Sequence, residues 1–246
     1  MCVLTYLPTS NGTPPNGFIF TSNRDESVVR ESAIPPRKYK IENRYILFPK
    51  DPLGGGTWIG GCDTFTLCLL NGGFEKHIPT PPYRHSRGKV ILDFYKYFDV
   101  NKFLKNYNFD NIEPFTLVIV SRDNILTINE IRWTGRKIFH KIHGANTPKI
   151  WSSVTLYTPE IIQERERWFD NFLQENPNYS AEDILKFHHF GGKGDVRNDI
   201  KMNRENKLKT LSITQFRIDD ENFVVEYQDL QKDKNFVYRV FTECIS

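Results

Sequence analysis

The chain has 246 residues, with 33 lysines and arginines against 30 aspartates and glutamates, for a formal charge of +3. Aromatic residues are 14% and charged residues 26% of it, which excludes a disordered chain; the near-balance of charge lacks the electrostatic footprint of nucleic-acid binding. The four cysteines, Cys2, Cys62, Cys68 and Cys244, show no CxxC pairing, which argues against a structural zinc site and a disulfide scaffold and favours a reducing compartment.

Residues 2–7 are apolar and read as a strand. Residues 8–17 hold three prolines and two glycines and read as a loop. Residues 17–22 form a second strand, and a connection of this length lets the two pair antiparallel. Residues 27–50 are mixed, with Pro35-Pro36 as a breaker and a short strand at 45–48. Trp58-Ile59, bracketed by glycines, suits a strand approached closely by another backbone. Residues 64–70 are a nearly continuous apolar strand that ends at the turn signal Asn71-Gly72-Gly73.

Residues 87–98 have helical spacing of Val90, Ile91, Phe94, Tyr95 and Phe98, and 101–107 add a further helical turn. Strands follow at 115–120, 125–133 and 137–142, then a short apolar piece at 150–153 that ends in hydroxyls. Thr158-Pro159 starts a helix with Ile161, Ile162, Trp168, Phe169, Phe172 and Leu173 on its apolar face, stopping before Pro177. Ser180 caps another helix through Phe190, residues 191–206 read as a loop, and strands close the chain at 208–218, 223–227 and 236–241. This order predicts α+β or layered α/β architecture with largely antiparallel sheets, in one domain over residues 1–246. No apolar run approaches the roughly 18 residues of a membrane span, and no basic region precedes residues 2–7, so a soluble, cytoplasmic protein is expected.

Cys2 follows the start methionine, which is normally removed before a small residue. The exposed α-amine, with a pKa of roughly 7.7–8.0, could then take the thiol proton, making nucleophile and base one residue. The bland alternative is a buried apolar cysteine on a terminal strand. Asn23-Arg24-Asp25-Glu26 follows the second strand, either as a solvated turn or as a cluster brought near the N-terminus by the hairpin. There Arg24 would lower the thiol pKa and Asp25 would hold the amine. Asn71 is either an ordinary Asn-Gly turn residue or a donor to a developing oxyanion. Gly54-Gly55-Gly56 lacks the Lys-Ser/Thr of a phosphate loop. The neighbours His188 and His189 point about 100° apart on a helix, which argues against a metal pair. Residues 204–209 read as a solvated loop rather than an RNA site, and Cys62 and Cys68 as packing residues.

Met1-Cys2, Asn23-Arg24-Asp25-Glu26, Gly55-Gly56-Thr57-Trp58-Ile59-Gly60 and the apolar strand ending at Asn71 together resemble the NRDE family, also called the transport and Golgi organisation protein 2 family. The motifs span residues 1–73. The resemblance implies an N-terminal nucleophile hydrolase with a four-layer αββα sandwich, similar to the branch that includes choloylglycine and penicillin V acylases. In that branch a cysteine attacks an amide carbonyl, an Arg and an Asp support it, and an Asn helps form the oxyanion hole. These roles match Cys2, Arg24, Asp25 and Asn71, with Asn23, Glu26, Trp58, Ser152, Ser153 and Lys209 as candidates for holding substrate.

Two features depart from the acylase pattern. Arg24 and Asp25 are adjacent rather than two residues apart, which leaves Asp25 and Glu26 as alternatives. Lys209 stands where the acylases bring an arginine from a late strand, and a point charge does not reproduce the guanidinium fork. The expected function is cleavage of a small-molecule amide, without metal or cofactor. The alternative is a non-catalytic binding protein for a hydrophobic or haem-like ligand on the same scaffold.

Overall fold

The computed structural model of the chain describes residues 3–9 and 15–240. Its elements are β1 (Val3–Pro8), β2 (Phe18–Ser27), β3 (Ile34–Ile41), β4 (Arg44–Lys50), β5 (Ile59–Gly61), β6 (Phe65–Asn71), α1 (Gly88–Tyr97), α2 (Val100–Asn106), β7 (Phe115–Ser121), β8 (Thr127–Trp133), β9 (Ile138–His143), β10 (Lys149–Ser152), α3 (Pro159–Glu175), α4 (Ala181–Phe190), β11 (Asn203–Arg204), β12 (Leu208–Ile218), β13 (Phe223–Asp229) and β14 (Lys234–Arg239). Two antiparallel sheets and four helices among the described residues make the fold α+β. The chain divides into two compact units, one from residues 1–30 and 145–246 and one from residues 31–144. Among the described residues, no helix is long and apolar enough to cross a membrane.

In the first unit the strand order is β10-β1-β2-β12-β13-β14, with β11 on β12. The expected hairpin is present, with Val3 opposite Asn23 and Pro8 opposite Phe18. One expectation fails at its end: β2 does not stop at residue 22 but runs through residues 23–26 to Ser27. Polarity predicts a turn there, yet β1 on one side and β12 on the other offer ladder partners along this stretch. Paired on both edges, the polar backbone stays extended. The expectation of a solvated loop over residues 204–209 holds only in part: Glu205, Asn206 and Lys207 form an exposed turn, but Arg204 lies in β11 and Leu208 and Lys209 in β12.

Helices α3 and α4 pack on the sheet face that carries Val3, Leu7 and Ile19, contributing Phe169, Ile184 and Phe187. Thr158 caps α3 ahead of Pro159, and Ser180 and Asp183 form a capping box on α4. The face of α3 differs from expectation: Ile161 and Ile162 are only half-buried, whereas Arg165 is fully buried. Its Nε donates to Asn198 O at 3.1 Å and its Nη2 to Asp199 O at 2.6 Å, while its guanidinium stacks 3.6 Å from the Tyr157 ring centroid. Carbonyls and an aromatic face offset the loss of water that otherwise keeps arginine outside.

In the second unit β3 to β9 form a meander in sequence order. Strand β3 runs through Pro35-Pro36, read above as a breaker. It lies at the sheet edge, and its register shifts between Ile34 and Arg37, so the missing N–H groups cost no regular ladder bonds. Phe65, Phe94 and Phe103 meet edge-to-face at 5.2 and 5.4 Å and centre the core between the sheet and helices α1 and α2. The glycines of the 54–61 stretch have a local cause. Thr57 N–H donates to Gly88 O at 3.1 Å, and a Cβ on Gly56 would fall 2.7 Å from Lys89 N. Only glycine lets the start of α1 and this loop touch backbone to backbone.

Candidate active site on the β2 strand

Cys2 lies outside the described residues. Val3, the next residue, is flanked by Asn23 on β2 and by Ser152 on β10. Side chains alternate along a strand, so Asn23 and Asp25 face the helices while Arg24 faces the other way.

Asn23 is fully buried. Its Nδ2 donates to His188 O at 3.1 Å and to Ile200 O at 2.9 Å, and its Oδ1 accepts from His188 Nδ1 at 2.8 Å. That bond fixes the proton on Nδ1, so Nε2 accepts from the Thr5 hydroxyl at 2.8 Å. Burial first, then the charges of His189 and Arg165, push the His188 pKa down to about 3, so the ring is neutral. His189 points elsewhere and meets Gln228 Oε1 at 2.5 Å. Every polar atom of the Asn23 side chain is therefore engaged with the scaffold.

Asp25 is 3% exposed. The Thr210 hydroxyl donates to its Oδ1 at 2.5 Å and the Tyr157 hydroxyl to its Oδ2 at 3.0 Å. Thr210 Oγ1 in turn accepts from Met202 N–H at 3.0 Å. The Tyr157 ring has the guanidinium of Arg165 at 3.6 Å and that of Arg204 at 5.2 Å. The carboxylate is thus held by two hydroxyls that are themselves held, which fixes its orientation.

Arg24, also buried, lies opposite Ser212, with its Nη2 3.7 Å from Glu26 Oε2. Glu26 is half-buried and reaches Arg30 Nε at 3.7 Å as well. On the same face burial pushes the Tyr227 phenol up to about 12, against the pull of Ser212 and Arg24. Thr214 Oγ1 is buried there with no hydrogen-bond partner among the described residues. Arg24, the Tyr227 phenol and the Thr214 hydroxyl thus make this buried face of the sheet polar.

The remaining candidates divide between the units. Lys209 pairs with Glu26 across the β2–β12 ladder. Ser153 is buried, meets Thr155 Oγ1 at 3.0 Å, and its carbonyl accepts from Tyr157 N–H at 3.2 Å, so it shapes the turn that delivers Tyr157 to Asp25. Asn71 and Trp58 belong to the second unit: Asn71 ends β6 opposite Phe115, and Trp58 is buried with its carbonyl accepting from Leu69 N–H at 2.9 Å. Cys62 and Cys68 are buried, and burial pushes the Cys62 thiol up to about 12. Among the described residues, no group of three or more His, Cys, Asp or Glu is placed to hold a metal ion.

The family model described as Transport and Golgi organisation 2 matches residues 1–229 of the chain. The chain belongs to this family. No curated protein matches it. The family match runs far beyond the motifs of residues 1–73, to the last residue of β13, and so takes in every partner of Asn23 and Asp25 named above. Sequence reading missed Tyr157, Thr210, Arg165 and the role of His188. Thr210 alone had a signal, as the neighbour of Lys209 on a predicted strand.

Proposed function

We propose that this member of the transport and Golgi organisation 2 family is an N-terminal cysteine hydrolase that cleaves the C–N bond of a small amide. What carries the reading is the state of Asp25: a carboxylate buried in mid-sheet, oriented by Thr210 and Tyr157, on the strand that pairs with β1, whose first residue, Val3, follows Cys2 in sequence. A buried carboxyl group is costly unless it is hydrogen-bonded, and here each oxygen accepts from a hydroxyl that is itself held in place. The proposal includes one domain over residues 1–246 with the αββα sandwich of N-terminal nucleophile hydrolases.

With Met1 removed, the Cys2 α-amine takes the thiol proton, and the thiolate attacks the amide carbonyl carbon. Asn71, in the role implied by the resemblance, donates to the oxyanion. The C–N bond breaks, the α-amine returns the proton to the leaving amine, and a thioester remains. Water, deprotonated by the same amine, cleaves the thioester and restores the thiol. Asp25 holds the α-amine, Arg24 favours the thiolate, and Glu26 and Lys209 border the substrate. Asn23 serves instead as the scaffold that keeps β2 in place.

The test is covalent labelling with a β-lactone probe. Wild-type protein should take up one equivalent, and Cys2→Ala none. Undiminished labelling of Cys2→Ala would overturn the assignment and move the function to a non-catalytic binding protein.

A further inference from the structure

The second unit carries a cleft of about 350 Å³ that no step above uses. It opens where β6, β7, β8 and β9 meet one end of their sheet, in the register row Asn71, Phe115, Trp133 and Ile138. Its apolar wall is Phe74 and Phe139, edge-to-face at 5.0 Å and about half exposed. Large side chains are left partly in water here although the same unit buries most of its other phenylalanines. Arg132 backs Phe74 at 4.8 Å from the ring centroid and is fixed by donation to Gly73 O at 3.0 Å.

The polar lining carries two cations, Arg136 and Lys137, against one carboxylate, Glu75. Arg136 and Lys137 both line the cleft, and neither forms an ion pair among the described residues. They sit on the β8–β9 turn. Gly135 adopts φ +88°, Thr134 N–H donates to Lys137 O at 3.1 Å, and Lys137 N–H donates to Thr134 Oγ1 at 3.1 Å. This turn fixes the backbone that carries both cations. Glu75 is the one carboxylate in the lining. His77 is tied to Glu113 Oε1 at 3.0 Å, and Glu113 Oε2 is 3.2 Å from Arg87. The volume falls in the lower part of the range of about 300–1,000 Å³ for small-molecule sites.

We propose that this cleft binds a small organic monoanion with an aromatic or short acyl body, of the aryl- or acyl-carboxylate class. The body would pack on Phe74 and Phe139, and the carboxylate would meet Arg136 and Lys137. Cys2 takes no part in this binding, since the lining comes wholly from the second unit.

The experiment is calorimetric titration of the full chain with phenylbutyrate and with its uncharged amide. Wild type should bind the carboxylate saturably and at least about tenfold more tightly than the amide. The Arg136→Gln/Lys137→Gln variant should lose that preference, and Phe139→Ser should weaken both ligands. Cys2→Ala should bind as wild type does, which separates this outcome from that of the hydrolase reading. Absence of saturable binding, an unchanged preference in the double variant, or full affinity in Phe139→Ser would each overturn the proposal. Circular dichroism of each variant checks that it has folded.

Discussion

Asn23→Leu keeps the size of the side chain and removes all its polar atoms. Three buried groups then lose their partners: His188 Nδ1–H, His188 O and Ile200 O. The His188 carbonyl lies in the last turn of α4, where no intrahelical donor remains to replace the amide. An unsatisfied buried group costs about 1–3 kcal/mol, so three give roughly 3–9, and local relaxation favours the lower half. A loss of about 3–5 kcal/mol would be a large part of the 5–15 typical of a domain. With a urea m-value of about 3 kcal/mol/M, this moves the midpoint down by roughly 1–1.7 M. Urea titration read by far-ultraviolet circular dichroism and tryptophan fluorescence measures it. A midpoint within about 0.3 M of wild type, at equal m, would refute the view that Asn23 ties β2 to α4.

Acidification should act on the same network. His188 has a pKa of about 3 when folded against an ordinary value of 6.5. The unfolded chain therefore binds the extra proton first, and stability falls as pH drops from about 6.5 towards 3, by up to roughly 1.4 kcal/mol per pH unit. Urea midpoints measured across that range should fall less steeply in His188→Gln. Tyr157→Phe keeps the stack on Arg165 but deletes the donor to Asp25 Oδ2. It should cost about 1–2 kcal/mol in stability and, on the hydrolase reading, slow β-lactone labelling of Cys2 and alter its pH profile; an unaltered profile would remove Tyr157 from the site. Gly88→Ala places a Cβ 2.8 Å from Thr57 O, and thermal melts should register a loss of roughly 1–3 kcal/mol from overpacking.

Local signals predicted local structure well. Thr158-Pro159 and Ser180 mark helix starts that are present, and the apolar runs of β1, β6 and β7 lie where periodicity puts them. For residues 23–26 the sequence leaves a solvated turn and a buried cluster open, because their conformation is set by a neighbour far along the chain: Asp25 meets Thr210, 185 positions away. Strand order across a sheet leaves no mark in spacing. The same applies to the site. Arg24 and Asp25 were legible as a cluster, but the hydroxyls that orient Asp25 come from the turn before α3 and from β12. Arg165 was hidden for a different reason. On an otherwise apolar helix face an arginine reads as a boundary, and its burial is offset by groups far along the chain or outside the helix, the carbonyls of Asn198 and Asp199 and the Tyr157 ring.

The most direct measurement is the intact mass of the native protein. The hydrolase account predicts a chain lacking Met1, with Cys2 as its first residue and a free α-amine to act as base. A chain that retains Met1 in full would contradict it, because Cys2 would then have no amine of its own to take the thiol proton.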